Sequence, residues 1–249
     1  MPRRAAFILL TALLAGCTTH RLGVIQEPGR SVAFPTAGHW ASMVYAARTD
    51  SGVIVIDLGW HGAAAGLRKR LRSLGAGPED VTDVFLTHSH RDHTGGWRAV
   101  RTARFHLWAP EVPLFTGDSS HADFLSRAAR VTGGHAGPIA GEISLRPFSA
   151  DTAFAFGRDT VRAFTVPGHT AGSAAYLYRG VLFVGDAVAR GPLAGFQPAR
   201  DVFSDNYRQN RESLRSLFVR TAPFDVRWVC NAHAKCAPLD SAFIRRVTR

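Results

Sequence analysis

The chain has 249 residues, 46% of them hydrophobic and 20% charged, with a formal charge of +11. This composition excludes a disordered chain, and the length can bury a sizeable core without a disulfide framework. The positive charge is 28 Arg and two Lys scattered from Arg3 to Arg249; with no dense run beyond Arg68, Lys69, Arg70 and Arg72, no specific nucleic-acid partner is expected.

Residues 1–16 read as a signal peptide. Arg3 and Arg4 precede an apolar run from Ala5 to Leu14, far shorter than the ~20 residues that span a bilayer. Ala15 and Gly16 supply the small residues of a cleavage site. Leu14-Ala15-Gly16-Cys17 resembles the bacterial lipobox, which implies a diacylated Cys17 at the mature N-terminus and a tether over residues 17–30. The membrane would then be a partner through the anchor, each buried CH₂ contributing about 0.8 kcal/mol. Thr18 is not the Asp associated with inner-membrane retention, so the outer membrane is the expected side of the envelope, with a secreted or periplasmic chain as the alternative. Cleavage removes Arg3 and Arg4 and leaves +9.

One domain is expected over residues 31–249, because no Pro/Gly/Ser linker interrupts it. Apolar runs predict strands at 31–34, 42–47 and 53–57. Leu67, Leu71 and Leu74 recur at helical spacing, so 62–74 is predicted as a helix closed by Gly75. A buried strand at 81–87 runs into a His-rich loop, and another strand follows at 104–108. Residues 110–141 are the least regular, with a helix expected around 121–130. Strands are predicted at 160–166, 174–178 and 181–184, then a helix over 206–220 and a last strand at 226–230. Several neighbouring strands are joined too briefly for a crossover helix, which points to mixed sheets rather than a doubly wound one.

The chemistry is concentrated in Thr87-His88-Ser89-His90-Arg91-Asp92-His93-Thr94-Gly95-Gly96, four candidate ligands within six residues after an apolar strand. Alternate side chains of an extended segment share a face, which lets His88 and His90 converge on one ion. A following turn can aim Asp92 and His93 at a second. Imidazole and carboxylate donors suit zinc, iron or manganese better than copper(I).

This stretch resembles the metallo-β-lactamase superfamily of metallohydrolases, whose hallmark is His-X-His-X-Asp-His. Further segments match in order. Val53-Ile54-Val55-Ile56-Asp57-Leu58-Gly59 is similar to the early strand ending in Asp and Gly, and Pro167-Gly168-His169-Thr170-Ala171-Gly172-Ser173 to the Gly-His-Thr-X-Gly-Ser element. Val181-Leu182-Phe183-Val184-Gly185-Asp186-Ala187 resembles the strand that ends in a metal-bridging Asp. Asn231-Ala232-His233-Ala234 stands where the last His belongs, departing from the commoner Gly-His-Gly.

The resemblance implies a four-layer αβ/βα sandwich with two mixed β-sheets and metals at one edge between them. It implies a first metal on His88, His90 and His169, a second on Asp92, His93 and His233, and Asp186 bridging both. Asp57 would orient the His loop from behind. The implied cofactors are two divalent ions, zinc foremost, with iron or manganese also suited. Water activated between them would attack a carbonyl or phosphoryl centre of a small-molecule substrate, with Asp92 shuttling a proton.

Asp186 argues against the classical β-lactamases of this superfamily, which lack a bridging carboxylate there, and sits more easily with lactonase, thioesterase or phosphodiesterase branches. A glyoxalase-II-like enzyme would carry an extra C-terminal helical region, where here 238–249 remain. An RNA-processing nuclease would carry a large inserted domain. Residues 187–191 lack the Tyr that acyl-homoserine lactonases often place after the bridging Asp. The expected function is therefore hydrolysis of an ester, lactone, thioester or amide in the cell envelope. Alternatives are a mononuclear iron persulfide oxygenase and an inactive binding lipoprotein. His20, His39, His61, His106, His121 and His135 read as ordinary polar side chains, and Trp60, Phe115, Phe124 and Phe196 as core aromatics before pocket walls. Cys230 and Cys236 could be disulfide-bonded or free; an exported compartment permits the bond.

Overall fold

The computed structural model describes residues 24–27, 30–33, 42–59, 64–117, 141–191, 195–234 and 236–249. The first sheet runs in chain order through β1 (Val24–Glu27), β2 (Arg30–Ala33), β3 (Tyr45–Thr49), β4 (Gly52–Ile56), β5 (Val81–Phe85), β6 (Arg104–Trp108) and β7 (Ser144–Phe148). Neighbours from β1 to β4 are antiparallel and those from β4 to β7 parallel. The second sheet holds β8 (Thr152–Phe156), β9 (Asp159–Thr165), β10 (Ala174–Tyr178), β11 (Val181–Gly185), β14 (Trp228–Asn231) and β15 (Ala237–Pro238). There β11 and β14 run parallel and the other pairs antiparallel. A separate hairpin joins β12 (Val188–Gly191) to β13 (Gly195–Pro198).

Period-two alternation, with both faces apolar, dictates the layers. Tyr45, Ala47, Ile54 and Ile56 point into a core shared with Ala163, Tyr176, Tyr178, Val181 and Phe183 of the second sheet. Their neighbours Val44, Ala46, Val53 and Val55 point the other way, against Leu67 and Leu71 of the helix Ala64–Ser73. On the far face of the second sheet, Ala175, Leu177, Leu182 and Val184 pack on Leu214, Leu217 and Phe218 of the helix Tyr207–Thr221 and on Phe243 and Val247 of the helix Ser241–Thr248. Both C-terminal helices are capped, Asn206 accepting from the Gln209 N–H at 3.0 Å and Asp240 from the Phe243 N–H at 2.6 Å. The result is the expected αβ/βα sandwich with two mixed sheets.

The two sheets are stitched at one end. Tyr176 donates to the Leu86 carbonyl at 2.8 Å and Tyr45 to that of Asn231 at 2.7 Å. The Ala174 N–H reaches Thr87 O at 2.8 Å and the Met43 N–H reaches Ala232 O at 2.6 Å. β4, β5, β9, β11 and β14 all terminate at this edge, so the loops leaving their C-terminal ends meet.

Several elements depart from the sequence expectation. Val24–Glu27 falls in the stretch expected as a tether, yet pairs with Arg30–Ala33, so strand pairing begins before residue 31. Residues 1–16, Cys17 and the helix expected around 121–130 lie outside the described residues. β7 was not foreseen, because Arg146 and Pro147 break its alternation; among the described residues it pairs with β6 alone, and an edge position tolerates Pro147. β8, β12, β13, β15 and the last helix are likewise additions. Cys230 and Cys236 form a disulfide across the β14–β15 turn. Phe115 belongs to the core on the outer face of the first sheet and Phe196 packs against that on the outer face of the second, whereas Trp60 and Phe124 lie outside the described residues.

His106 takes the structural part expected of it. Its Nε2 lies 2.7 Å from buried Asp83, which Arg104 also grips at 2.6 and 2.8 Å. Burial would raise the Asp83 pKa, but hydrogen bonds from His106 and Arg104 outweigh it and leave the carboxyl far below the usual range. Its folded-state pKa is thus depressed, so the unfolded chain binds the extra proton and stability falls as pH drops below about 4. Asp83→Asn is expected to cost about 2 kcal/mol at neutral pH, with the gap to wild type narrowing at pH 3. Urea unfolding at both pH values checks this; a gap independent of pH contradicts it.

Candidate metal centre

Each site side chain follows a strand end at the stitched edge. Asp57 comes directly after β4, His88 three residues after β5, His169 four after β9, Asp186 directly after β11 and His233 two after β14. A one-turn helix, Arg91–Thr94, then turns the chain so that Asp92 and His93 join from the other side. The Leu58 N–H anchors that turn on the His93 carbonyl at 2.7 Å.

Three groups form. His88, His90 and His169 gather their donor atoms, as do His88, His93 and Asp186, and Asp92, His93 and His233, each set lying within 4.8 Å. The His169 Nε2 is 3.2 Å from His88 Nε2 and 3.1 Å from His90 Nδ1. Asp186 lies between the groups, its Oδ2 3.0 Å from His233 Nε2 and 3.8 Å from His169 Nε2, its Oδ1 3.6 Å from His93 Nε2. Asp92 is 3.3 Å from His233 and 3.6 Å from His93. The structure thus brings together all seven residues singled out in the sequence. His88, His93 and His169 are buried, while the His233 side chain is 42% exposed, so the site opens on the His233 side.

Asp57 stands behind the site. Its carboxylate accepts from the Thr87 N–H and hydroxyl, each at 2.8 Å, and from His93 Nδ1 at 2.8 Å. With its hydroxyl proton committed to Asp57, Thr87 Oγ1 can accept from His88 Nδ1 at 3.1 Å. Both imidazoles therefore turn Nε2 toward the centre. Thr87 comes this close because residue 185 is glycine. It has a φ of 51°, and a Cβ there would sit 2.4 Å from the Thr87 hydroxyl.

The electrostatics divide the histidines. Burial, then the neighbouring imidazoles, holds His88 well below its ordinary value, and burial with His90 beside it lowers His169 to about 3. Both keep neutral lone pairs. Burial would lower His93 too, but Asp92, Asp57 and Asp186 raise it well above the ordinary range. Asp186 raises His233 to about 9 against the opposing effect of burial. Burial would raise Asp186 in turn, yet His233 and His93 hold it well below the carboxylate range.

These atoms fit divalent cations. A tetrahedral ion with bonds of about 2.0–2.1 Å to nitrogen sets its ligands roughly 3.3 Å apart, close to the spacing of the three-histidine group. His93 Nε2 and Asp186 Oδ1 are buried without a hydrogen-bond partner, whereas such atoms nearly always have one. The acidic field around His93 favours positive charge, which a metal ion supplies while displacing protons from its ligands.

Sequence reasoning missed Glu111. It lies in the segment set aside as irregular, buried at the end of the turn Ala109–Glu111 after β6. The only cue was an acid directly after a strand and a Pro. Among the other histidines, His20, His39, His61, His121 and His135 lie outside the described residues.

The family model described as Metallo-beta-lactamase superfamily matches residues 37–233. A hydroxyacylglutathione hydrolase of Halorhodospira halophila is 33% identical over 150 residues, 60% of this chain and 46% of that protein. Its counterpart in Shewanella oneidensis is 31% identical over 143 residues, 57% of this chain and 46% of that protein. The chain thus spans about half the length of the curated relatives it matches. Among solved structures, a B3 metallo-beta-lactamase with an active-site glutamic acid superposes with a TM-score of 0.66 at 17% identity, covering 96% of this chain and 91% of that one. An archaeal metallo-beta-lactamase superfamily protein from Sulfolobus tokodaii gives 0.64 at 19% identity, over 88% and 84%. At these identities the structural likeness establishes the fold alone.

Asp57→Asn replaces one acceptor oxygen by an NH₂ group among three donors. It is expected to cost about 1–3 kcal/mol and to change the imidazole ¹⁵N shifts of His93, read by histidine-selective NMR. Unchanged His93 shifts would show that Asp57 does not orient the ring.

Proposed function

The chain belongs to the metallo-beta-lactamase superfamily, and from that premise we propose that it is a metal-dependent hydrolase of a small thioester or ester. The observation that carries the reading is the convergence of seven His and Asp side chains into three overlapping donor groups, with Asp186 set between His93, His169 and His233. His88, His90 and His169 would hold one divalent ion, Asp92, His93 and His233 a second, and Asp186 would contact both. When bound, such a pair supplies Lewis-acid activation of water and of the scissile carbonyl.

The chain's own residues do the rest. Neutral His88 and His169 offer lone pairs without first losing a proton. Asp57 holds the Nδ1 proton of His93 and fixes the ring's direction. Asp92, with a side chain 21% exposed, reaches both the donor cluster and the open side. It takes up, at a carboxylate oxygen, the proton released by the attacking water and delivers it to the departing group. The substrate enters on the His233 side, where the site meets solvent.

Two relatives named as hydroxyacylglutathione hydrolases favour a thioester among the candidate acyl substrates. The second donor group favours a binuclear centre over the mononuclear iron oxygenase. Zinc is the ion this donor set fits first, with iron or manganese accommodated.

Metal analysis of the purified chain, with a panel of thioesters, esters, lactones and amides, tests the reading. Two divalent ions per chain and hydrolysis abolished by chelation are expected. His90→Ala and Asp92→Asn are expected to lower turnover by about 10²–10⁴ while the far-UV spectrum stays unchanged. One iron per chain with oxygen consumption, or unchanged turnover in either variant, overturns it.

We also propose that the enzyme works in the bacterial cell envelope, anchored through acylated Cys17. The lipobox-like Leu14–Cys17 supports this, and the Cys230–Cys236 disulfide accords with an oxidising compartment. Cys17→Ser is expected to abolish labelling by radioactive palmitate and to move the protein from the membrane to the soluble fraction. Labelling retained by the variant contradicts the anchor.

A further inference from the structure

We infer that Glu111 is a positioning residue that sets the geometry of the three-histidine group by clamping two ligand loops to each other. Its carboxylate divides evenly between them. Oε1 accepts from the Ser89 N–H and hydroxyl, each at 2.7 Å. Oε2 accepts from the Thr170 hydroxyl at 2.8 Å and the Gly172 N–H at 3.0 Å. Ser89 is the residue between His88 and His90, and Thr170 follows His169 directly. One buried carboxylate therefore ties the loop bearing two of the three nitrogens to the loop bearing the third.

The arrangement is built closely around this side chain. Glu111 is 1% exposed. A Cβ on residue 172 would lie 2.3 Å from the Glu111 backbone nitrogen and 2.6 Å from Oε2, so only glycine lets the second loop approach. Thr170 is braced in turn, its N–H and hydroxyl meeting the Ser173 hydroxyl at 3.0 and 2.8 Å. Each carboxylate oxygen faces one backbone N–H, which can only donate. A glutamine could satisfy one loop with its carbonyl oxygen, while its NH₂ would oppose the N–H of the other.

Neither loop has a strand partner where its histidine sits: His88 and His90 lie beyond β5, and His169 lies in the turn between β9 and β10. Backbone bonds brace the flanks, from the Ala174 N–H to Thr87 O at 2.8 Å and from the Asp205 N–H to His169 O at 3.0 Å, and the side-chain clamp adds the tie between Ser89 and the Thr170 loop that sets the His169 nitrogen 3.1–3.2 Å from those of His88 and His90. Asp57 performs a similar task for His93 from the opposite side, so each donor group has its own buried carboxylate behind it. This inference rests on the metal-centre reading above.

The test compares the full-length wild-type chain with Glu111→Gln, each stripped of metal and titrated with Zn²⁺ against a chromophoric chelator, and separately with Co²⁺ to record its visible spectrum. Buried groups that orient ligands typically govern affinity by 10–100-fold, and Glu111→Gln is expected to weaken the tightest Zn²⁺ step by about that factor and to alter the Co²⁺ bands. Asp159→Asn, which breaks the Asp159–Arg179 ion pair away from the site, controls for lost stability and is expected to bind both ions as wild type does. Should Glu111→Gln not fold, Ser89→Ala and Thr170→Val remove one bond from each side of the clamp. Each is expected to weaken Zn²⁺ binding several-fold, and the double variant more. Wild-type affinity and spectrum in Glu111→Gln, or in the double variant, overturn the clamp and leave the metal-centre reading intact. A wild-type chain that binds neither ion overturns both.

Discussion

Crowding imidazoles and carboxylates into one buried edge is electrostatically unfavourable, and the rest of this structure exists to hold them there. His88 and His169 are pressed below their ordinary pKa by burial and by one another, while His93 and His233 are drawn up by Asp186 and Asp92. Such a cluster persists only where its loops are fixed from behind. Asp57 supplies that anchor directly for His93 and through Thr87 for His88, and Glu111 supplies it for the loops of His88, His90 and His169. Carboxylates satisfied by several donors suit the task, because charge-assisted bonds are the stronger ones.

The sandwich makes the anchors effective. Two sheets whose strands are apolar on both faces become rigid inner layers, and the strands that matter end at one shared edge. Cross-sheet bonds from Tyr45 and Tyr176 fall at that same edge, so the loops leave from a fixed platform. Gly172 and Gly185 complete the design from the other direction: each removes a side chain where Glu111 or Thr87 must approach the backbone. Activity in such a fold is a property of the edge, and the layers beneath it are general.

The relatives bear on chemistry and architecture separately. Solved structures that superpose along most of the chain share under a quarter of its residues and speak for the fold. The hydroxyacylglutathione hydrolases share about a third of the residues over part of their own length. Asp186 lies among the donor atoms of both sides of the site, near His93, His169 and His233.

What the sequence determined by itself was local or periodic. The His-X-His-X-Asp-His cluster, the Gly-His-Thr element and the apolar strand before Asp186 could be read because each is a short run with a fixed spacing. Strands such as Arg104–Trp108 and Ala174–Tyr178 appeared within the expected bounds for the same reason. Edge strands with broken alternation, such as Ser144–Phe148, escaped, since their pairing comes from a neighbour rather than from their own pattern. Tertiary structure alone decided that Cys230 meets Cys236 and that Glu111 joins Ser89 to Thr170. Those contacts link residues up to 61 positions apart for Glu111. A lone acid in an irregular segment carries no periodicity, and only the folded chain reveals which donors its oxygens reach.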